Sequence, residues 1–345
     1  MGSSYNSETT ADALVHDLAA AIKGTSILTT GVSRGGLGAA FVESIAAAQP
    51  RLLILAGRTL GKLQETADTI KAKHSGVEVR LLELDLSSFA AVRKAADTVL
   101  GWDDVPRIDV LVNNAGVMGI DWARSVDGFE MTFVVNHLGH FLFTNLIMSK
   151  ILASEAPRVV NVSSEGHRFN PIRWGDYNFH DGDTYNKWQA YGQAKTANML
   201  MALSLAKKLG KTHGLLAFSL HPGFVFTHLS DHMNWWEEQS AIQAVDVALG
   251  NVEDQVEFMS AQHGAATHIF ASFAPGLEGM AQRIPKHNNK PSSNIRSSAN
   301  NGAYLTGCHV ADPFTETVKP WGTSVVEAER LWQLSEQLVG QTFTY

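Results

Sequence analysis

Short apolar runs recur along the chain at residues 26–30, 52–56, 77–84, 110–112, 158–162 and 215–220, and segments of helical periodicity separate them. The runs show little polar alternation, which is the pattern of strands covered on both faces. The helical segments are 38–48, 60–73, 88–100, roughly 131–153, and 191–209, the last carrying Lys207 and Lys208 and followed by Gly210. Strand and helix alternating this often require right-handed βαβ crossovers. The expected fold is therefore α/β: a single Rossmann-type domain over residues 1–345, with a doubly wound, mostly parallel sheet of about seven strands.

The ends of the chain fit around that unit. Residues 1–23 form an N-terminal extension whose segment 11–22 has helical spacing. After the sixth strand helices are expected at 241–249 and 256–273. Residues 228–302 would cover the substrate, with a flexible Asn-, Ser- and Pro-rich loop near 285–302. A short strand at 303–306 and an amphipathic helix at 325–338 complete the chain.

Composition narrows the function. With 45% hydrophobic and 18% charged residues the chain is neither disordered nor fibrous, and a net charge of −7 with no basic tract excludes a nucleic-acid surface. Cys308 is the only cysteine, so no internal disulfide forms, and a reducing, cytoplasmic setting is expected. The most apolar helical stretch, 141–152, contains Thr144, Asn145, Ser149 and Lys150 and reads as a packed helix, with no transmembrane segment expected. Fourteen histidines include the pairs His137/His140 and His228/His232, but neither has a third ligand at motif distance, so no metal is expected.

Strand one runs into Thr30-Gly31-Val32-Ser33-Arg34-Gly35-Gly36-Leu37-Gly38 and then a helix. Glycines there let the backbone turn tightly and approach a pyrophosphate at the helix N-terminus. Strand two ends in Ala56-Gly57-Arg58, where an NAD site carries an acid. Arg58, with Arg34 and Lys62, suits a 2′-phosphate instead, so NADP(H) is favoured over NAD(H). Asp85, before Leu86, either accepts from the adenine amino group or caps the helix starting near Ser88.

Further groups gather at the C-terminal ends of later strands. Strand four ends in Asn113-Asn114-Ala115-Gly116 and strand five in Ser163-Ser164. The following helix opens Tyr191-Gly192-Gln193-Ala194-Lys195, with Tyr191 and Lys195 one turn apart. An ammonium beside a phenol favours phenolate and lowers the tyrosine pKa.

These motifs, with LDL at 84–86, Asn136 in VNHLGH and PGFVFT at 222–227, resemble in order those of the short-chain dehydrogenase/reductases over roughly residues 24–310. The run NHLGHFLFT and the C-terminal segment are similar to the retinol dehydrogenase-like branch, especially its fungal members. The resemblance implies an oxidoreductase that interconverts a ketone or aldehyde and an alcohol, with Tyr191 as general acid/base. It makes Lys195 the ribose ligand that depresses the tyrosine pKa, Ser164 (Ser163 competing) the group that polarises the carbonyl, and Asn136 a member of a water-linked proton relay. Gly31, Ser33, Arg34, Gly36, Leu37, Arg58, Lys62, Asp85, Leu86, Asn114, Ala115, Gly116, Pro222, Gly223, Val225 and Thr227 would hold the cofactor together with Tyr191 and Lys195.

The glycine loop is one residue longer than the family pattern, leaving Gly35 or Gly36 as the middle glycine. Residues 165–190 form an insert with Phe169, Trp174, Tyr177, Phe179, Tyr185 and Trp188, candidates for a substrate wall. Trp235-Trp236 would be an aromatic lid or a packed helix corner. The substrate is expected to be an apolar small molecule, such as a polyketide, terpenoid, steroid or retinoid ketone. The resemblance also suggests a homodimer or homotetramer through the helices at 131–153 and 191–209. A cofactor-binding scaffold, or a dehydratase or isomerase, is the alternative.

Overall fold

The apolar runs become the strands of one sheet. A computed structural model describes residues 5–251, 257–278 and 300–345. Its strands are β1 (Ser26–Thr30), β2 (Leu52–Gly57), β3 (Glu78–Glu83), β4 (Val110–Asn113), β5 (Arg158–Val162), β6 (Leu216–Leu220), β7 (Phe224–Val225), β8 (Phe258–Met259), β9 (Tyr304–Thr306) and β10 (His309–Val310). The main sheet runs β10-β9-β6-β5-β4-β1-β2-β3, with β7 and β8 paired separately. It has eight strands where about seven were expected. The addition is β10, which returns antiparallel to β9. Gly307 and Cys308 both have positive φ (48° and 61°), the two-residue turn that joins a tight hairpin.

Alternate residues of each strand enter opposite layers. Leu28, Ile54, Leu111 and Val159 face one apolar cluster, and Ile27, Leu53, Val112 and Val160 face the other. Both faces are covered, so the strands lack polar alternation. Strand order reverses between β1 and β4, which opens a crevice at their C-terminal ends.

Several boundaries move. The helix expected at 11–22 breaks at Leu18 into Ala11–Asp17 and Ala19–Ile22. That expected at 131–153 becomes Met131–Phe133, a π turn Val134–Leu138, Gly139–Leu146 and Met148–Leu152. The long helix starts at Lys187, four residues before Tyr191, because Asn186 caps it by accepting from the Trp188 and Gln189 amides. It runs through Gly210 and ends at His213 before Gly214, whose φ of +68° closes it. Helices Trp235–Ala248 and Ala261–Phe273 replace those expected at 241–249 and 256–273. Residues 285–299 of the expected loop lie outside the described residues.

The helices expected to carry subunit contacts are covered by the chain itself. Helix Val325–Val339 lies across them: Trp332 packs edge-on against Phe141, Ser335 bonds His137, and Ser204 donates to the Ala328 carbonyl. No helix among the described residues is long and apolar enough to cross a membrane.

The lower ends of three segments meet at buried Asp109. Its carboxylate accepts from the Ser26 amide (2.8 Å), the Ser154 hydroxyl (2.6 Å) and Arg107 Nε (3.0 Å). Asp109→Ala leaves the fully buried Ser26 amide without an acceptor. Urea unfolding is expected to show a loss of about 2–3 kcal/mol.

Candidate active site

The crevice is knotted at Thr30. Its hydroxyl oxygen accepts from the amides of Asn114 and Ala115, both at 2.9 Å, and lies 2.8 Å from His140 Nε2. With two donors on that oxygen, the hydroxyl proton goes to Nε2. His140 then carries its own proton on Nδ1, facing the Asn136 carbonyl at 3.2 Å. Burial holds His140 neutral, its pKa pushed down to about 4. The Asn114 side-chain amide donates to the carbonyls of Thr30 (2.8 Å) and Gly31 (3.1 Å), so β4 also braces the glycine loop.

That loop is tightly fitted. A Cβ at Gly31 (φ +73°) would lie 2.7 Å from Ala115 Cα, and one at Gly38 would lie 2.6 Å from the Gly31 carbonyl. The extra residue is absorbed in the turn Ser33–Gly36, where Gly35 has φ +79° and the Gly36 amide donates to the Ser33 carbonyl. Gly36 then caps helix Leu37–Ile45 with no side chain over the first turn, leaving its N–H groups to an anion. The cradle fits a pyrophosphate.

One cavity of about 1010 Å³ joins this loop to the later strand ends. It is lined by Gly31, Ser33, Arg34, Gly36, Leu37, Arg58, Lys62, Asp85, Leu86, Asn114, Ala115, Gly116, Ser164, Tyr191, Lys195, Pro222, Gly223, Val225 and Thr227. Arg34, Arg58 and Lys62 are exposed at one end, with Glu65 among them. Asp85 does not cap the next helix. Its carboxylate accepts from the amide and hydroxyl of Ser87, while Ser88 caps that helix and Asp127 accepts from the Phe89 amide.

At the other end Tyr191, Lys195 and Ser164 converge. Lys195 Nζ donates to the Val162 carbonyl at 3.1 Å and stands 5.4 Å from the centre of the Tyr191 ring. Ser164 and the Tyr191 ring both stand against Gly166, and the Ser164 hydroxyl accepts from the Gly166 amide at 3.0 Å. Ser163 instead donates to the Lys195 carbonyl, buried. Asn136 does not line the cavity: it is fully buried on the π turn, and its side chain spans the Val117 amide (2.8 Å) and carbonyl (2.9 Å). Gly116 lets this group meet, since a Cβ there would stand 3.1 Å from Asn136 Oδ1.

The expected lowering of the Tyr191 pKa is not seen. Burial pushes the phenol up to about 12, against the opposing effect of the nearby Ser164 hydroxyl, and pushes Lys195 down to about 8. Desolvation of both charged forms outweighs an ammonium over the ring face.

The wall beyond Tyr191 is apolar, with Met118, Ile120, Phe169, Trp188, Trp235 and Phe258. Only Phe169 and Trp188 of the insert aromatics reach it. Trp174 donates to Glu327, Tyr177 packs against Phe129, Phe179 is buried beneath Arg173, and the Tyr185 hydroxyl donates to the Ile120 carbonyl. Trp235 packs on Trp188 and lines the cavity while Trp236 is 82% exposed, so the tandem pair divides between cavity wall and surface. The covering helix Trp235–Ala248 is fastened at both ends. Arg168 donates to both Asp246 oxygens at 3.0 Å, and Glu238 accepts from Trp188 Nε1 (2.9 Å) and pairs with Lys187. These fasteners, and His140, carry no sequence motif beyond the one-turn spacing of Asn136 and His140. Among the described residues no group of three or more His, Cys, Asp or Glu gathers as for a metal.

The family model for short chain dehydrogenase matches residues 25–178. Retinol dehydrogenase 14 of Mus musculus is 32% identical over 327 residues, covering 92% of this chain and 86% of the relative. The chain belongs to the short-chain dehydrogenase/reductase family. It is accordingly an oxidoreductase that acts on small molecules with a nicotinamide cofactor. Short-chain dehydrogenase/reductase prx1 of Penicillium rubens is also 32% identical, over 92% of this chain and 86% of its own length. Among solved structures, an uncharacterised protein from Mycobacterium paratuberculosis is 27% identical with a TM-score of 0.66, covering 95% and 98% of the two chains. The NADPH-bound carbonyl reductase from chicken fatty liver shares the fold, with a TM-score of 0.53 at 17% identity, covering 82% of this short-chain dehydrogenase/reductase and 96% of its own chain.

The buried lysine has a measurable consequence without cofactor. Folded Lys195 gives up its proton near pH 8 against an ordinary value of 10.5, so between those values the unfolded chain holds more protons and stability rises with pH. Below pH 8 the penalty is present in full. Lys195→Met is therefore expected to exceed the wild type at pH 7 by about 1–3 kcal/mol in urea unfolding, with the gap narrowing towards pH 10.

Proposed function

We propose that the protein reduces an apolar ketone or aldehyde with NADPH. The observation that carries this reading is the layout of one cavity. Three cationic side chains stand at one end, the glycine cradle lies between, and Ser164, Tyr191 and Lys195 meet at the other end under an apolar wall. Arg58 stands at the end of β2, where a guanidinium suits a 2′-phosphate, and Arg34 and Lys62 line the same end. The nicotinamide cofactor, when bound, supplies the hydride.

The chain's own residues do the rest. The Ser164 hydroxyl holds the carbonyl oxygen and Tyr191 gives it a proton. Burial keeps the phenol protonated, the state a donor to a carbonyl needs. Lys195 stabilises the phenolate left behind and holds the nicotinamide ribose. Asn136 is a positioning residue: its grip on Val117 fixes the Gly116–Val117 turn beside Lys195 Nζ. Val225 and Thr227, which line the same cavity, would orient the carboxamide. The aromatic wall, and the name of retinol dehydrogenase 14 among the relatives, point to a long apolar substrate.

Nicotinamide fluorescence tests the cofactor preference. NADPH is expected to bind at least about tenfold more tightly than NADH, and Arg58→Asp to remove that preference by weakening NADPH alone. Equal affinities in the wild type would refute it. Tyr191→Phe is expected to lower carbonyl reduction by about 10³-fold while leaving NADPH affinity within about twofold. Wild-type turnover in that variant would refute the proton-transfer role.

A further inference from the structure

We propose that His228 is a ligand of the cofactor's pyrophosphate and acts there as an imidazolium held by Asp231, so that cofactor binding takes up a proton. This rests on the dinucleotide reading above.

After Thr227 the chain turns through His228–Ser230 and comes back onto the glycine loop. The turn is fixed locally: the Thr227 hydroxyl accepts from the Leu229 amide, and its carbonyl accepts from the Ser230 amide and hydroxyl. The His228 ring thereby lies against Gly35. Its Nε2 is 2.6 Å, and its Cδ2 2.9 Å, from where a Cβ on Gly35 would be. A φ of +79° favours glycine at position 35, and the ring takes up the space a Cβ would occupy. His228, Asp231, Arg34, Gly35 and Gly36 all line the same cavity.

The chemistry follows from the other ring nitrogen. His228 Nδ1 is 2.6 Å from Asp231 Oδ2, and a carboxylate only accepts, so Nδ1 carries a proton. Nε2, on the side of the phosphate loop, then presents a lone pair in the neutral ring and an N–H in the cation. An anion seated on the uncapped N-terminus of helix Leu37–Ile45 meets repulsion from the first and a charge-assisted hydrogen bond from the second. Three charged or titratable side chains face this part of the cleft. These are Asp231 on the same turn, hydrogen-bonded to the ring, Arg34 on the glycine loop, and His232 next along the lining. The same Asp231 contact and the seat on Gly35 leave His228 poorly placed to share a metal with His232.

The test is a calorimetric titration of NADPH into wild type, His228→Gln, His228→Lys and Asp231→Asn between about pH 6 and about pH 8.5. Each variant's fold is checked by its unfolding midpoint. Taking the ratio of wild-type to His228→Gln affinity at each pH cancels the titration of the ligand's own phosphates. The ratio is expected to be about tenfold at pH 6 and to fall towards about one at pH 8.5, as imidazole loses its charge. His228→Lys, with a permanent charge, is expected to keep its affinity across the range, and Asp231→Asn to shift the fall to lower pH. Should His228→Gln not fold, wild type in buffers of different ionisation enthalpy still reports proton uptake at pH 7. A flat ratio near one, or no proton uptake, would overturn the assignment and leave the dinucleotide reading standing. Failure of the wild type to bind NADPH or NADH would instead remove the dinucleotide reading, and this inference with it.

Discussion

The hydroxyl of Thr30 is the point on which the site depends. It accepts two amides from the end of β4 and gives its proton to His140, so one side chain fixes the crevice between β1 and β4 and ties it to the helix beneath. Asn114 repeats the tie from the other strand and is met from a further helix by His268, whose Nε2 lies 3.3 Å from its Oδ1. Strand order reverses in this crevice, so the glycine loop can fold across it only if the two strand ends keep a fixed separation. Gly31 and Gly38 then settle the loop to within a methyl group of β4 and of itself.

The end of the cavity at Tyr191 and Lys195 is governed by desolvation. Tyr191 and Lys195 are both buried among strand ends, and removal from water opposes charge on either. On the proposed reading, a phenol kept neutral retains the proton it would deliver. An ammonium with one carbonyl partner, that of Val162, has donors left for a sugar hydroxyl. The covering helix is tied down by the Arg168–Asp246 and Glu238 contacts, so the apolar wall stands on paired charges and not on the apolar contacts alone.

Much of this was legible in the sequence because it depends on local pattern. Strands covered on both faces write themselves as unbroken apolar runs, and the family motifs lie at strand ends in a set order. Tertiary contacts hid the rest. Gly210 does not stop the long helix, because it is packed against Asn301, whose Nδ2 would stand 2.6 Å from a Cβ there. The π turn that buries Asn136 has no propensity signal, and neither does the commitment of that side chain to Val117. Trp174 and Tyr185 looked like substrate wall from their position in the insert, yet each serves a neighbouring element. The expectation of a lowered tyrosine pKa used the lysine charge and could not weigh burial.

Transfer of deuterium tests the central claim most directly. The protein would be incubated with NADPH deuterated at nicotinamide C4 on one face or the other, and with a panel of apolar aldehydes and ketones. Mass spectrometry would then locate the label. Hydride delivery to a carbonyl held by Ser164 and Tyr191 predicts alcohol products with deuterium on the carbinol carbon, from one C4 face only. Products that carry no label from either isotopomer, or a protein that binds NADPH and reduces no member of the panel, would contradict it.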